Sequence, residues 1–324
     1  MHTVDRCRLA STASPAAARD GGRRGDARRG GLVRLTLIRH DVPEPHGEAA
    51  ERERRVRAAL DELDALIGLA SVKKLVRELQ AFLEIQRRRT EARLAAQPVA
   101  LHMVFKGNPG TGKTTVARVL GRIFHAMDVL PKGHLVECER ADLVGQYIGH
   151  TAQRTREYIQ KAMGGVLFID EAYSLARGGE KDFGKEAIDT LVKAMEDHKD
   201  EFVVILAGYR AEMEFFLASN PGLRSRFPIH MEFPDYTCDE LLQIAHFMCE
   251  QRQYRLSPAA SRRLRRILER HAADNPYFGN ARFVRNVLER AIRRQALRLV
   301  DRRGLTRSDL MTLEASDVWE AATG

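Results

Sequence analysis

Gly107-Asn108-Pro109-Gly110-Thr111-Gly112-Lys113-Thr114 decides how the rest of this chain is read. It follows the pattern G-x-x-x-x-G-K-[ST] with no mismatch, and Thr115 carries it on into a helix. Before it, residues 101–106 are a short β-prone run. After it, Val116, Val119, Leu120, Ile123 and Phe124 recur at helical spacing. A strand, a glycine-rich turn and a helix let backbone N–H groups close around phosphate oxygens, with the positive end of the helix dipole behind them. Lys113 is then placed for the outer phosphates, and the Thr114 hydroxyl is a ligand for Mg²⁺.

Downstream of the loop, strands and helices alternate. Strands are predicted at 134–138, 166–169, 202–206 and 230–233, and helices at 115–127, 151–163, 184–197 and 211–218. Val166-Leu167-Phe168-Ile169 is apolar throughout, as befits a strand buried on both faces of a parallel sheet. The fold class is therefore α/β: a P-loop NTPase parallel sheet flanked by helices. From Tyr236 the strands stop. Thr237 with Glu240 forms a capping box, Ser257-Pro258 opens a second helix, 281–300 is a third, and Ser316 and Asp317 can cap a short last one. The expected organisation is an α/β nucleotide-binding domain over 58–235 and a smaller all-helical lid over 236–324. Upstream of the loop, Ser71 can cap a helix running to about Arg93, with Gly68-Leu69 at its entry.

Residues 1–57 are rich in Ala, Arg, Gly and Pro and are expected to be a disordered basic extension. The net charge of +9 is concentrated there, because residues 1–40 hold nine Arg against three Asp. A basic partner-binding arm and a mis-assigned start are equal readings of this segment. The paired arginines at 23–24 and 28–29 do not make an export signal, since Arg34 breaks the short apolar stretch behind them. No apolar run approaches the roughly 20 residues of a membrane span. Cys7, Cys138, Cys238 and Cys249 are scattered without metal or redox spacing, which points to a reducing, cytoplasmic setting.

Asp170-Glu171 closes the apolar run. Alone, such a pair is an ordinary acidic helix entry. Behind a P-loop and a buried strand, the Asp can hold the Mg²⁺ shared with Thr114, and the Glu can polarise a water for in-line attack on a γ-phosphate. A carboxylate aimed at water favours hydrolysis over transfer.

With these motifs in hand the chain resembles an AAA+ ATPase. The runs 101–115, 142–151, 163–172 and 172–190 resemble the branch that holds the red-type Rubisco activase and stage V sporulation protein K, the last run looking closer to the sporulation protein. The resemblance covers about residues 60–320. It implies ATP and Mg²⁺ as ligands, and a homo-oligomer, expected to be a hexamer, that remodels a protein partner. It also implies arginine fingers at Arg226 and Arg224, a sensor arginine at Arg282, adenine contacts from Gly68-Leu69, and a pore loop carrying Tyr147 and Ile148. Where the family usually delivers Asn or Thr to place the attacking water, this chain has Ala207-Gly208-Tyr209, so that role is open between the Tyr209 hydroxyl and a group elsewhere in the chain.

A sporulation role is the leading expectation. A Rubisco-directed remodeller and an ATP-dependent switch without threading are the alternatives. A nucleic-acid motor is disfavoured because residues 41–235 carry about −2. The sixteen Arg and eleven acidic residues of 236–324 leave the lid mildly basic.

Overall fold

A computed structural model describes residues 47–95, 100–147, 149–177, 183–275 and 278–319. Two helices, α1 (Gly47–Asp64) and α2 (Ala70–Glu91), precede β1 (Met103–Gly107) and α3 (Lys113–Ala126). Next come β2 (Leu135–Cys138), the one-turn α4 (Arg140–Leu143), α5 (His150–Ala162) and β3 (Val166–Ile169). A 3₁₀ turn at Ala172–Ala176 leads to α6 (Gly184–Asp197), β4 (Val203–Gly208), α7 (Arg210–Ser219), the short α8 (Pro221–Arg224) and β5 (Ile229–Phe233). The remainder comprises α9 (Cys238–Gln251), β6 (Arg255–Leu256), α10 (Pro258–Asp274), α11 (Asn280–Leu299), α12 (Arg307–Met311) and β7 (Thr312–Leu313).

The sheet has five parallel strands in the order β2-β3-β4-β1-β5. Strand β3 is buried along its whole length, as its apolar run requires. Alternate side chains feed two cores. Met103, Phe105, Phe168 and Ile205 pack under α1, α2 and α3, while Val104, Leu167, Ile169 and Leu206 pack under α5, α6 and α7. The P-loop leaves the carboxyl end of β1, and Asp170 leaves that of β3. Both reach the edge of the sheet where ligands of open α/β folds bind.

Four expectations need correction. Order begins inside the expected 1–57 extension, because α1 starts at Gly47. Its Val56, Ala59, Leu60 and Leu63 pack on the core, and Arg52 bonds Asp128 at 3.1 Å, Glu84 at 3.0 Å and the Met127 carbonyl at 3.0 Å. The dense Arg/Glu content hid that apolar stripe. Residues 1–46, Cys7 included, lie outside the described residues. Ser71 does not cap α2; the boundary residue is Leu69 in the left-handed region (φ 58°, ψ 33°). The lid is not purely helical, for β6 and β7 pair in parallel through Arg255–Thr312 and Leu256–Leu313. The buried Gln295 amide secures that turn by donating to the carbonyls of Asp309, Leu310 and Thr312. The last short helix is α12, capped by Thr306 in a box with Asp309, and not one capped by Ser316 and Asp317.

Cys138 and Cys249 are buried free thiols, and burial pushes them up to about 12 and about 11. They are packing residues.

Candidate active site

A cleft of about 690 Å³ opens between the sheet edge and the lid. Gly107, Pro109, Gly110, Gly112, Lys113, Thr114 and Thr115 line one wall, and Asp170 and Glu171 line the adjacent one. Gly112 caps α3 with φ 93°, so the first N–H groups of that helix face inward. Lys113 reaches back along the loop, its Nζ 2.8 Å from the carbonyls of both Gly107 and Asn108. Burial pushes its ammonium down to about 8, while the negative charge of Asp170 acts in the opposite sense. A polyphosphate in the cleft would favour the charged form as Asp170 does.

The donor set fits Mg²⁺. The Thr114 hydroxyl and the Asp170 carboxylate are hard oxygen ligands in one cleft, and among the described residues no cluster of three or more His, Cys, Asp or Glu makes a protein cage for a metal. Two protein oxygens with the rest supplied by phosphates and water is how Mg²⁺ is commonly bound.

Glu171 holds an uncommon backbone geometry for its type, left-handed at φ 46° and ψ 42°, directly after a strand buried in the sheet. Strain of this kind is about 1–3 kcal/mol and persists where the surroundings over-determine it. Its N–H donates to Asp170 Oδ1 at 3.0 Å, which locks the two acidic residues into one turn.

Not every P-loop residue faces the cleft. Thr111 is buried, its hydroxyl donating to the Asn108 carbonyl at 2.8 Å. Asn108 turns to Asp235, with its Nδ2 2.9 and 3.1 Å from the two carboxylate oxygens. Gly68 is not in the wall, since a Cβ there would meet Glu240 Oε1 at 2.5 Å; its neighbour Leu69 does line the cleft. Arg282 lines it from α11, and Arg285 joins it one turn later. Tyr209 also lines it, close enough to Glu171 that burial first and that charge second raise its phenol. Arg226 and Arg224 lie elsewhere: Arg226 pairs with Glu196 at 2.6 Å and donates to the Gly222 carbonyl at 2.9 Å. Tyr147 is 67% exposed, with its ring edge-on to His150 at 5.5 Å, which excludes a core role. Ile148 lies outside the described residues.

The apolar half of the cleft went unread in the sequence. Leu66 and Ile67 come from the turn before α2, and Ile244, Phe247 and Met248 come from α9 of the lid. Their signal was available only as ordinary helix periodicity.

A second missed feature is Asn280, fully buried at φ 44° where α11 begins. Its Nδ2 donates to Asp235 Oδ1 at 2.7 Å and the Phe278 carbonyl at 2.9 Å, and its Oδ1 accepts from the Tyr236 N–H at 3.0 Å. Beside it the Ala281 N–H donates to the Gly110 carbonyl at 3.2 Å, and the Tyr236 hydroxyl to that of Thr111 at 3.2 Å. The lid is thereby latched to the phosphate loop itself. Asn is among the few side chains that accept left-handed backbone. Asn280→Ala should lower stability by about 2–4 kcal/mol, from the lost bonds to Asp235 and the Tyr236 N–H together with the left-handed backbone, Asp235 itself keeping Asn108 as a partner. Chemical denaturation measures this; a loss below about 1 kcal/mol would show that the latch carries little weight.

Comparison with known proteins agrees with this geometry. Residues 103–235 match the family model "ATPase family associated with various cellular activities (AAA)", and residues 237–323 match the AAA lid domain. Over 267 residues the chain is 55% identical to stage V sporulation protein K of Bacillus subtilis (strain 168), covering 81% of this chain and 83% of that protein. Over 271 residues it is 47% identical to the chloroplastic ribulose bisphosphate carboxylase/oxygenase activase of Cyanidioschyzon merolae, covering 82% of this chain and 92% of that protein. The Holliday junction branch migration motor RuvB of Thermotoga maritima superposes with a TM-score of 0.52 at 23% identity, over 79% of this chain and 69% of that one. That last likeness concerns the fold alone.

Proposed function

The chain belongs to the AAA ATPase family and hydrolyses ATP, and from that premise we propose that it works as a hexameric, Mg²⁺-dependent ring that remodels a protein partner through its central pore. The observation that carries the reading is Tyr147, an exposed aromatic following Gly145 in a chain whose own cleft holds the hydrolytic groups. An exposed ring on a loop between two glycines, Gly145 and Gly149, is suited to grip an extended polypeptide through apolar contact.

In the proposed site the P-loop N–H groups and Lys113 bind and orient the phosphates of ATP. Thr114 and Asp170 would hold Mg²⁺, which when bound neutralises phosphate charge. Glu171 accepts the proton of the attacking water, and Arg282 brings the lid onto the nucleotide. Arg226, with Arg224 beside it, is proposed to reach the site of the neighbouring subunit. The apolar wall of Leu66, Leu69, Ile244 and Met248 receives the base. Among the described residues no helix is long and apolar enough to cross a membrane. A cytoplasmic location is proposed from the four cysteines, which are scattered without metal or redox spacing. The 55% identity to the sporulation protein favours a sporulation client; the 47% identity to the activase makes a Rubisco-directed role the alternative.

Tyr147→Ala tests the threading step. Basal ATPase should stay within about twofold of wild type, because no group of the nucleotide cleft is altered, while ATP-dependent capture of a fluorescently labelled unfolded polypeptide should weaken about tenfold or more. Undiminished capture by a stable variant would instead favour a switch that binds partners without threading.

A further inference from the structure

Four successive residues of the phosphate loop are held from outside the sheet. Asn108 donates to Asp235, and the Pro109 carbonyl accepts from Asn280 Nδ2 at 3.4 Å. The Gly110 carbonyl accepts from the Ala281 N–H, and that of Thr111 from the Tyr236 hydroxyl. The approach at Gly110 (φ 71°) is close enough to demand glycine, since a Cβ there would lie 2.4 Å from the Gly279 carbonyl oxygen and 2.7 Å from the Arg282 nitrogen. The shape of the loop is thus set by the hinge and the lid as well as by its own sequence.

Asp235 is the member that joins both sides. It stands where the chain passes from β5 to α9. Its Oδ1 accepts from Asn280 at 2.7 Å and from Asn108 at 3.1 Å, and its Oδ2 accepts from Asn108 at 2.9 Å. It does not line the cleft, so it is not a phosphate contact. Its charge nevertheless reaches Lys113, acting on that ammonium in the same sense as Asp170. By charge alone, a carboxylate at this range opposes the binding of a polyphosphate. An acid here therefore needs another reason, and the two amides supply it. A carboxylate accepts from both at once, whereas an amide in its place would turn an NH₂ group toward one of them.

We infer that Asp235 is the positioning residue of the phosphate loop, fixing the loop through Asn108 and tying its geometry to the lid through Asn280. The inference rests on the reading that this cleft binds the phosphates of ATP. The position of the lid then sets nucleotide affinity through the loop.

Asp235→Asn keeps the size of the side chain and removes the double acceptor. Its Kd for ADP and its KM for ATP should rise about tenfold, the cost of a displaced binding loop. Its kcat at saturating ATP should stay within about threefold, because the Asp170-Glu171 turn is untouched. The sign is diagnostic, since loss of a negative charge beside the loop would by itself tighten ADP. Asn108→Ala should weaken ADP similarly. Because both changes break one contact, the Asn108→Ala/Asp235→Asn double variant should bind no more weakly than the weaker single variant. Asn280→Ala cuts the lid side of the same carboxylate and should weaken ADP at least about threefold.

Equal or tighter ADP binding by Asp235→Asn, or losses that multiply in the double variant, would overturn the inference. Asn108→Ala with wild-type affinity would do the same, and needs no folded Asp235→Asn protein. Wild-type affinity in Asn280→Ala would overturn the tie to the lid. Lys113→Ala separates the two levels. If it binds ADP normally, the reading of the cleft fails; if it binds weakly while the Asp235→Asn protein is normal, only the role of Asp235 fails.

Discussion

Glu171→Gln is expected to abolish steady-state turnover, with kcat falling by at least about a hundredfold, the contribution of a positioned general base. The amide preserves shape but cannot take a proton from water. Lys113, the P-loop N–H groups, Thr114 and Asp170 are untouched, so ATP affinity should remain near wild type, and the variant should hold ATP unhydrolysed. Lys113→Ala provides the contrast, since it removes the partly buried cation that the loop carries and so weakens binding itself. Equilibrium binding of ATP beside a phosphate-release assay reads both. Turnover within a few-fold of wild type would remove Glu171 from the chemistry. The left-handed backbone at Glu171 adds a reason to expect a sharp result: the position is held at a cost in strain, and such cost is common at functional sites.

The candidate site was legible in the sequence wherever its groups lie in contiguous residues. Gly107–Thr114 and Asp170-Glu171 each belong to one turn, so spacing alone brings their groups together once strand and helix are assigned. The sheet was legible for a similar reason, since Val166–Ile169 and 202–206 are apolar on both faces and have no other stable place. What escaped was assembled across distance. Asn280 lies 45 residues from Asp235, and no periodicity announces a bond between them. The ring of Tyr173 stands against Gly208 at the end of β4, and that depends on how β3 and β4 pair, with Ile169 opposite Leu206. Spacing could show only that the usual polar residue was missing there. Helix α1 failed for the opposite reason, a real apolar stripe submerged in arginine and glutamate. The lid strand pair β6–β7 joins residues more than fifty positions apart through two residues each, too short to register as a pattern.

Arg226→Ala is expected to reduce kcat by about a thousandfold, the lower range for removing an arginine finger, with ATP affinity much less affected than in Lys113→Ala. Within one chain Arg226 makes no contact with the cleft; it is paired with Glu196 at 2.6 Å and lies on the turn after α8. Exposed ion pairs of this kind contribute about 0–1 kcal/mol, so exchanging Glu196 for a neighbour's γ-phosphate is energetically open. The proposed trans arrangement predicts a rescue. Arg226→Ala subunits keep an intact Glu171, and Glu171→Gln subunits keep an intact Arg226. Mixed in equal amounts, the two inactive proteins should regain activity at interfaces where the surviving arginine faces the surviving glutamate. A cis role forbids that rescue, because every cleft would then lack one group. ATPase activity in the mixture above the sum of the separate proteins therefore establishes a shared site. A single-subunit species that hydrolyses ATP at the full rate on dilution would refute it. In that case the Arg226–Glu196 pair would be a surface contact and nothing more.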